Sequence, residues 1–167
     1  MYKRQIQRTA LGAAERIGDK AGQATAHRFL ATACIRLADY GQARVHLTEC
    51  IEFYREVGDR HGEAHAQMAL TVVAVRQDRT ADALGHAEQA LSLFRVIADR
   101  IGQAVALNNV GWCHVLLGDY QRGRTVCQEA LVLDRELGER HGEAHILDSL
   151  ARAEHNLGCL LYTSRCV

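Results

Sequence analysis

From Ala104 the sheltered positions Leu107, Val110, Gly111, His114 and Leu117 advance in steps of three and four. Such spacing lines one face of an α-helix and predicts a helix over this stretch. The pattern breaks at Gly118-Asp119. Glycine accepts the left-handed conformation that closes a helix, and aspartate can cap the next helix by accepting a backbone N–H bond. A second stripe, Tyr120, Gly123, Cys127, Ala130, Leu131 and Leu137, follows at once, and Tyr40, Ala43, Leu47, Cys50 and Ile51 form a related one nearer the N-terminus. The unit is a hairpin of two helices.

The hairpin recurs at a fixed interval of forty residues. Gly18-Asp19-Lys20-Ala21-Gly22-Gln23-Ala24 returns as Gly58-Asp59-Arg60-His61-Gly62-Glu63-Ala64, as Ala98-Asp99-Arg100-Ile101-Gly102-Gln103-Ala104 and as Gly138-Glu139-Arg140-His141-Gly142-Glu143-Ala144, without gaps. A constant period of this length decides the architecture before any propensity is counted. Hairpins are expected near 18–57, 58–97 and 98–137, with half repeats at 6–17 and 138–158. Each hairpin leaves apolar stripes that only a neighbouring hairpin can cover, so the copies must stack. The expected fold is all-α, an α-solenoid of stacked antiparallel helix hairpins forming one repeat domain over 6–158. The small columns Gly22, Ala24, Ala43, Gly62, Ala64, Ala83, Gly102, Ala104 and Gly123 are expected to let helix backbones approach closely. Glycine inside a helix costs about 1 kcal/mol against alanine, so its recurrence points to a packing reason.

The third copy carries Asn109-Val110-Gly111, His114, Leu117-Gly118-Asp119-Tyr120, Gly123 and Ala130-Leu131. This pattern resembles the tetratricopeptide repeat family in a forty-residue form: a small residue after a large apolar one in the first helix, Gly-x-Tyr across the turn, and Ala-Leu late in the second helix. HEAT and armadillo repeats have similar periods, but the Leu-Gly-Asp-Tyr turn favours the tetratricopeptide pattern. Departures occur at Ala38 in the first copy and at Thr71, Asp78 and Thr80 in the second, and the family's frequent proline after the second helix is missing. The resemblance implies a right-handed superhelix whose first helices line a concave face.

Composition narrows the functional classes. The chain has 167 residues, 48% hydrophobic and 24% charged, with no proline, as in an ordinary soluble domain. No run of eighteen apolar residues exists, which excludes a membrane-spanning helix. Twenty Lys and Arg balance twenty Asp and Glu, so the charge footprint of a dedicated nucleic-acid or membrane binder is absent. The repeat register fails at Cys159, where Cys159-Leu160-Leu161-Tyr162-Thr163-Ser164-Arg165-Cys166-Val167 resembles a translation of the transposon mosaic end used in sequencing libraries. Met1-Tyr2-Lys3-Arg4-Gln5 fits the same element. Residues 1–5 and 159–167 are therefore expected to be adapter translation, to be set aside from fold reasoning. Without Lys3, Arg4 and Arg165 the remainder holds 17 basic and 20 acidic side chains. On this reading 6–158 is an interior piece of a longer repeat protein, and its uncapped ends favour self-association.

Candidate chemistry is sparse. His61-x-x-x-His65 and His141-x-x-x-His145 each place two imidazoles on one helix face, a spacing that can chelate zinc. Both pairs lie inside the repeated segment, Glu63 and Glu143 are misplaced for a His-Glu-x-x-His protease motif, and the sequence shows no evident third ligand. His114, in a core column, is expected to be a hydrogen-bonded interior histidine. Cys34, Cys50, Cys113 and Cys127 lack C-x-x-C spacing and read as small buried hydrophobes. No phosphate loop, Gly-x-Ser-x-Gly elbow or kinase motif occurs. No catalytic residue, metal or cofactor is assigned, and a reducing cytoplasm is the default setting.

The resemblance implies that the inward-facing residues are Thr25, Arg28, Arg36, His65, Met68, Arg76, Val105, Asn108, Trp112, Leu116, His145, Asp148, Arg152 and His155. Asn109 matches the asparagine that peptide-binding members of the family place in the first helix; Phe29, Ala69 and Ser149 do not. Arginine can fork onto a carboxylate, and Trp112 could anchor an apolar side chain. The site expected for a partner comprises Arg28, Arg36, His65, Met68, Arg76, Asn108, Asn109, Trp112, Asp148 and Arg152. The expected function is a non-catalytic scaffold for a protein or peptide segment, an acidic one suiting the arginines. The alternative is a sensor or regulatory region of a bacterial transcriptional regulator or signalling ATPase, acting within its own polypeptide.

Overall fold

The computed structural model describes the backbone of residues 2–138 and 140–164 and the side chains of 9–138 and 142–158. The described residues form helices and turns with no strand: α1 (Tyr2–Ile17), α2 (Lys20–Arg36), α3 (Tyr40–Val57), α4 (Arg60–Arg76), α5 (Thr80–Val96), α6 (Arg100–Leu116), α7 (Tyr120–Leu137) and α8 (Arg140–Ser164). The end segments expected to be adapter translation, 1–5 and 159–167, have side chains outside the described residues. Two compact units divide the chain, Met1–Arg79 and Thr80–Val167. In the first, α1 packs on α2, α2 on α3 and α3 on α4; in the second, α5 packs on α6, α6 on α7, and α8 on both α6 and α7. Within each unit, connections of two or three residues turn the chain back on itself, which makes consecutive helices antiparallel neighbours.

The turns follow from two residues each. A left-handed residue closes one helix: Gly18, Gly58, Gly118 and Gly138 have φ from 70° to 84°. Ala38, Asp78 and Ala98 take the same conformation at φ near 57° where glycine is missing, so the departures from the repeat keep the turn and bear the strain of a Cβ there. At five of the turns an aspartate then starts the next helix. Asp19, Asp59 and Asp99 accept from the amides of Gly22, Gly62 and Gly102 at 2.8 to 2.9 Å. Asp39 and Asp119 accept from Gln42 and Arg122 at 3.3 and 3.2 Å. These bonds satisfy amides that the helix itself leaves without acceptors.

Packing follows the columns, with one revision to their meaning. In Met1–Arg79 the core joins Leu30, Ala31 and Cys34 of α2, Leu47, Cys50, Ile51 and Tyr54 of α3, and Leu70 and Val73 of α4. In Thr80–Val167, α6 and α7 meet at Gly111 and Gly123, where an added Cβ on Gly123 would lie 3.0 Å from the Gly111 carbonyl oxygen. That is the backbone approach expected of Gly123. The glycines opening α4 and α6 serve otherwise: they make room for a ring. A Cβ on Gly62 would stand 2.5 Å from a ring carbon of Tyr54, and one on Gly102 would collide with the ring of Phe94. The aromatic residue near the end of one helix thus seats against the first turn of the next.

Two expectations about the core change. Leu107, Val110, Gly111 and His114 are buried, but Leu117 is exposed, because α6 ends at Leu116 and Leu117 is its C-cap, donating back to Cys113 at 3.0 Å. His114 is interior without being hydrogen-bonded: its Nδ1 stands 3.9 Å from Asp119 Oδ2, beyond hydrogen-bond range, and its Nε2 meets no partner among the described residues. Burial, and then the Arg122 guanidinium, push its pKa down.

Candidate functional site

Each unit holds a groove between the first helices of successive hairpins. The groove in Met1–Arg79, about 460 Å³, lies between α2 and α4 against the end of α3. Thr25 and Arg28 come from α2, Tyr54 and Val57 from α3, and His61 and His65 from α4. Arg28 is exposed and stacks its guanidinium 4.8 Å from the centre of the Phe29 ring. Burial and the neighbouring Cys50 raise the Tyr54 pKa, with Arg28 opposing them. Asp59 also lines this groove, but its carboxylate is engaged in capping α4. The two histidines approach to 3.3 Å at Nε2, as their spacing on one helix face requires.

The groove in Thr80–Val167, about 320 Å³, lies between α6 and α8 against the end of α7. Val105, Asn108, Asn109 and Trp112 form one wall, His145, Ile146, Asp148 and Ser149 the other, and Asp134 of α7 joins them. Trp112 is half-buried, and the Arg152 guanidinium sits 5.1 Å from its ring centre, within cation–π range. Asp134 is 3% exposed. A Cβ on Gly142 would lie 2.5 Å from its carboxylate, the position that Tyr54 and Phe94 fill with rings in earlier copies.

The residues singled out from sequence therefore separate into groups. Arg28 and His65 share the first groove; Asn108, Asn109, Trp112 and Asp148 share the second, with Arg152 over the indole. Arg36 and Arg76 are exposed at the last residues of α2 and α4 and line neither groove. Eight residues of helix separate Arg36 from Arg28, about 12 Å along the axis. Met68 is half-buried and lines neither groove. Sequence reasoning missed Tyr54 and Asp134, which come from second helices. Their signal was the column Ala14, Tyr54, Phe94, Asp134, always eight residues before the recurrent glycine.

Other reactive side chains are locked into packing. Cys34, Cys50, Cys113 and Cys127 are buried. Burial pushes the thiols of Cys50, Cys113 and Cys127 up to about 11, which keeps them protonated and poorly nucleophilic at neutral pH. Cys50 Sγ donates to the Ala24 carbonyl at 3.3 Å. His27, also buried, has its Nδ1 3.2 Å from both His46 Nδ1 and Glu49 Oε2. The pair His141 and His145 cannot be placed, since the His141 side chain lies outside the described residues. No described helix is long and apolar enough to cross a membrane.

Helix hairpins with these turns, columns and intervals define a class of repeat protein, and comparison with known families agrees. The tetratricopeptide repeat model matches residues 23–95 and 62–122, and the chain belongs to the tetratricopeptide repeat family. No curated protein matches the sequence. Among solved structures it is similar to a signal transduction ATPase with numerous domains, carrying a tetratricopeptide repeat sensor, from Pyrococcus horikoshii, at 24% identity and a TM-score of 0.76 over 88% of this chain. The chain spans 23% of that protein's length. BtubC from P. vanneervenii is similar at 18% identity and a TM-score of 0.84, with 98% of this chain and 68% of that one covered. A candidate kinesin light chain of Podosopora anserina with nearly identical TPR-like repeats shares 10% identity at a TM-score of 0.77, with 97% and 80% covered. These likenesses show the fold, that of tetratricopeptide-type repeat solenoids.

Proposed function

We propose that this chain is a non-catalytic interaction module that binds a protein segment along the grooves between its first helices. The observation that carries the reading is the first groove, where exposed Arg28 stands beside His61 and His65 around a recess of about 460 Å³. A guanidinium held over an aromatic ring at a groove wall suits the carboxylate of an acidic segment, which it can meet with two parallel hydrogen bonds. Arg36 and Arg76 would extend that preference along the same helices, with Met68 and His65 contributing contact area. The reading includes no direct nucleic-acid or membrane partner, in keeping with balanced charge, and a reducing cytoplasmic setting that suits the four buried thiols.

Peptides selected from a displayed random library test it. Arg28→Glu should lower capture of acidic binders by about tenfold or more, and Arg76→Glu by less, with helicity by circular dichroism unchanged. Unaltered capture by both variants rejects the groove.

A second reading draws on the likeness to the Pyrococcus ATPase, which carries its repeats as a sensor. In that reading the chain is the sensor or regulatory region of a signalling ATPase or bacterial transcriptional regulator, and the segment it binds belongs to its own polypeptide. A P-loop or helix-turn-helix encoded upstream in the same reading frame selects it; repeats alone select the free scaffold.

A further inference from the structure

Histidine occurs as a spaced pair in some copies of the repeat and as neither member in the others. His61 and His65 return as His141 and His145, whereas the equivalent positions hold Ala21 and Thr25 in the first copy and Ile101 and Val105 in the third. The two positions change together. In α4 the pair is exposed, stands one turn apart at the start of the helix, and lines the groove of Met1–Arg79. The Nε2 atoms are 3.3 Å apart while the ring centres are 4.5 Å apart, so the two nitrogen-bearing edges are turned toward each other.

That separation selects among metals. Zinc–imidazole bonds of about 2.0–2.1 Å meeting at the tetrahedral angle require two nitrogens about 3.3–3.4 Å apart. The 90° angle of a square-planar or octahedral ion requires about 2.8–3.0 Å. The contact that joins the two rings needs one proton between them, and a zinc ion lying off the line of the two nitrogens takes that proton's place. Ligation through Nε2 leaves Nδ1 of each ring as a donor to a second group, the usual support of a metal-bound histidine. The charges around the pair offset each other: Arg28 and Asp59 line the same groove with opposite signs, Arg28 over the Phe29 ring and Asp59 capping α4. We propose that the first turn of α4 holds a zinc ion between Nε2 of His61 and Nε2 of His65, with water completing the tetrahedron. With two protein ligands the ion is exchangeable and bound in the micromolar range, unlike the closed four-ligand centre of a structural zinc. The assignment goes beyond the interaction-module reading and does not depend on it, since zinc alone is the ligand.

Calorimetric titration of zinc into the full chain tests it, in a background of Cys159→Ser, Cys166→Ser and His145→Ala that removes the competing cysteine and histidine pairs. One ion should bind per chain. His61→Ala and His65→Ala should each weaken binding by about tenfold or more, with helicity by circular dichroism unchanged. Zinc should also raise the melting temperature of the parent chain and leave that of either variant unmoved, because an ion clamped across one helical turn binds only the folded state. No uptake at zinc concentrations up to about 1 mM, or equal affinity in the parent and both variants, overturns the assignment. Either result leaves the interaction reading standing, which Arg28→Glu tests by capture of acidic peptides.

Discussion

Two grooves built on one plan are lined by different side chains. In Met1–Arg79 the end of α3 contributes the Tyr54 ring, and Arg28, His61 and His65 stand around it. In Thr80–Val167 the end of α7 contributes Asp134, and Asp148, Asn108 and Trp112 stand around it. The two sites share their glycine, their helix order and their turn, so the contrast comes down to a few columns of the repeat. The lesson concerns repeat proteins as physical objects: because each hairpin contacts only its neighbours, one column can change its chemistry without disturbing the rest.

The sharpest way to break this comparison is to give the second copy the aspartate that the third carries in this column. Phe94→Asp removes a ring that is 1% exposed and leaves a carboxylate in its place. Stability should fall by about 3–5 kcal/mol, the usual cost of emptying a buried phenyl site, measured by urea or thermal melting. A loss below about 1 kcal/mol would mean that the ring does not hold the hairpins together.

The reverse exchange should have a smaller effect of opposite sign. Asp134→Phe restores the ring opposite Gly142 and should raise stability by about 2 kcal/mol, the burial of one aromatic side chain. The same variant should fill the recess and shift the emission of Trp112, which lines it. Greater stability with unchanged emission would separate the recess from Asp134 and refute the comparison.

Acidification probes one buried histidine in each unit. Burial lowers the pKa of His27, against Glu49 and Glu15, and of His114, where Arg122 acts with burial. Both stay neutral in the folded chain below the ordinary value of 6.5, while the unfolded chain takes up protons there. Stability should therefore hold steady above about pH 7 and decline as pH falls through 6.5 toward the lowered values. His114→Ala should flatten the part of that slope owed to Thr80–Val167, as read by melting temperature against pH. An identical slope in the variant would mean that His114 titrates as freely in the folded chain as in the unfolded one.

The helices, their order and their turns were legible because each is a local matter. Period 3.6 stripes, Gly-Asp turns and a forty-residue interval are written in residues a few positions apart, and they specify hairpins whichever neighbours cover them. Even the departures at Ala38 and Asp78 left the turns intact, since the left-handed residue is held by bonds across one helix end, such as Asp39 N to Cys34 O at 2.9 Å. Leu117 was misjudged because a helical stripe does not announce its last residue. His114 was placed in the core correctly but given a hydrogen bond it lacks, because Asp119, across the turn that ends α6, stops 3.9 Å short of its Nδ1.

For the grooves, the repeat register was enough to say that first helices carry Arg28, His65, Asn108, Asn109, Trp112 and Asp148 at related positions. Only the packing of three helices could decide that Arg28 and His65 share a recess with Tyr54, that Arg36 and Arg76 stand apart from it, and that Asp134 lies buried beside Trp112. Local order is dictated by backbone hydrogen bonds and by side chains three or four residues apart. The character of a recess is the sum of groups brought together from different helices, and that sum exists only once the chain has packed.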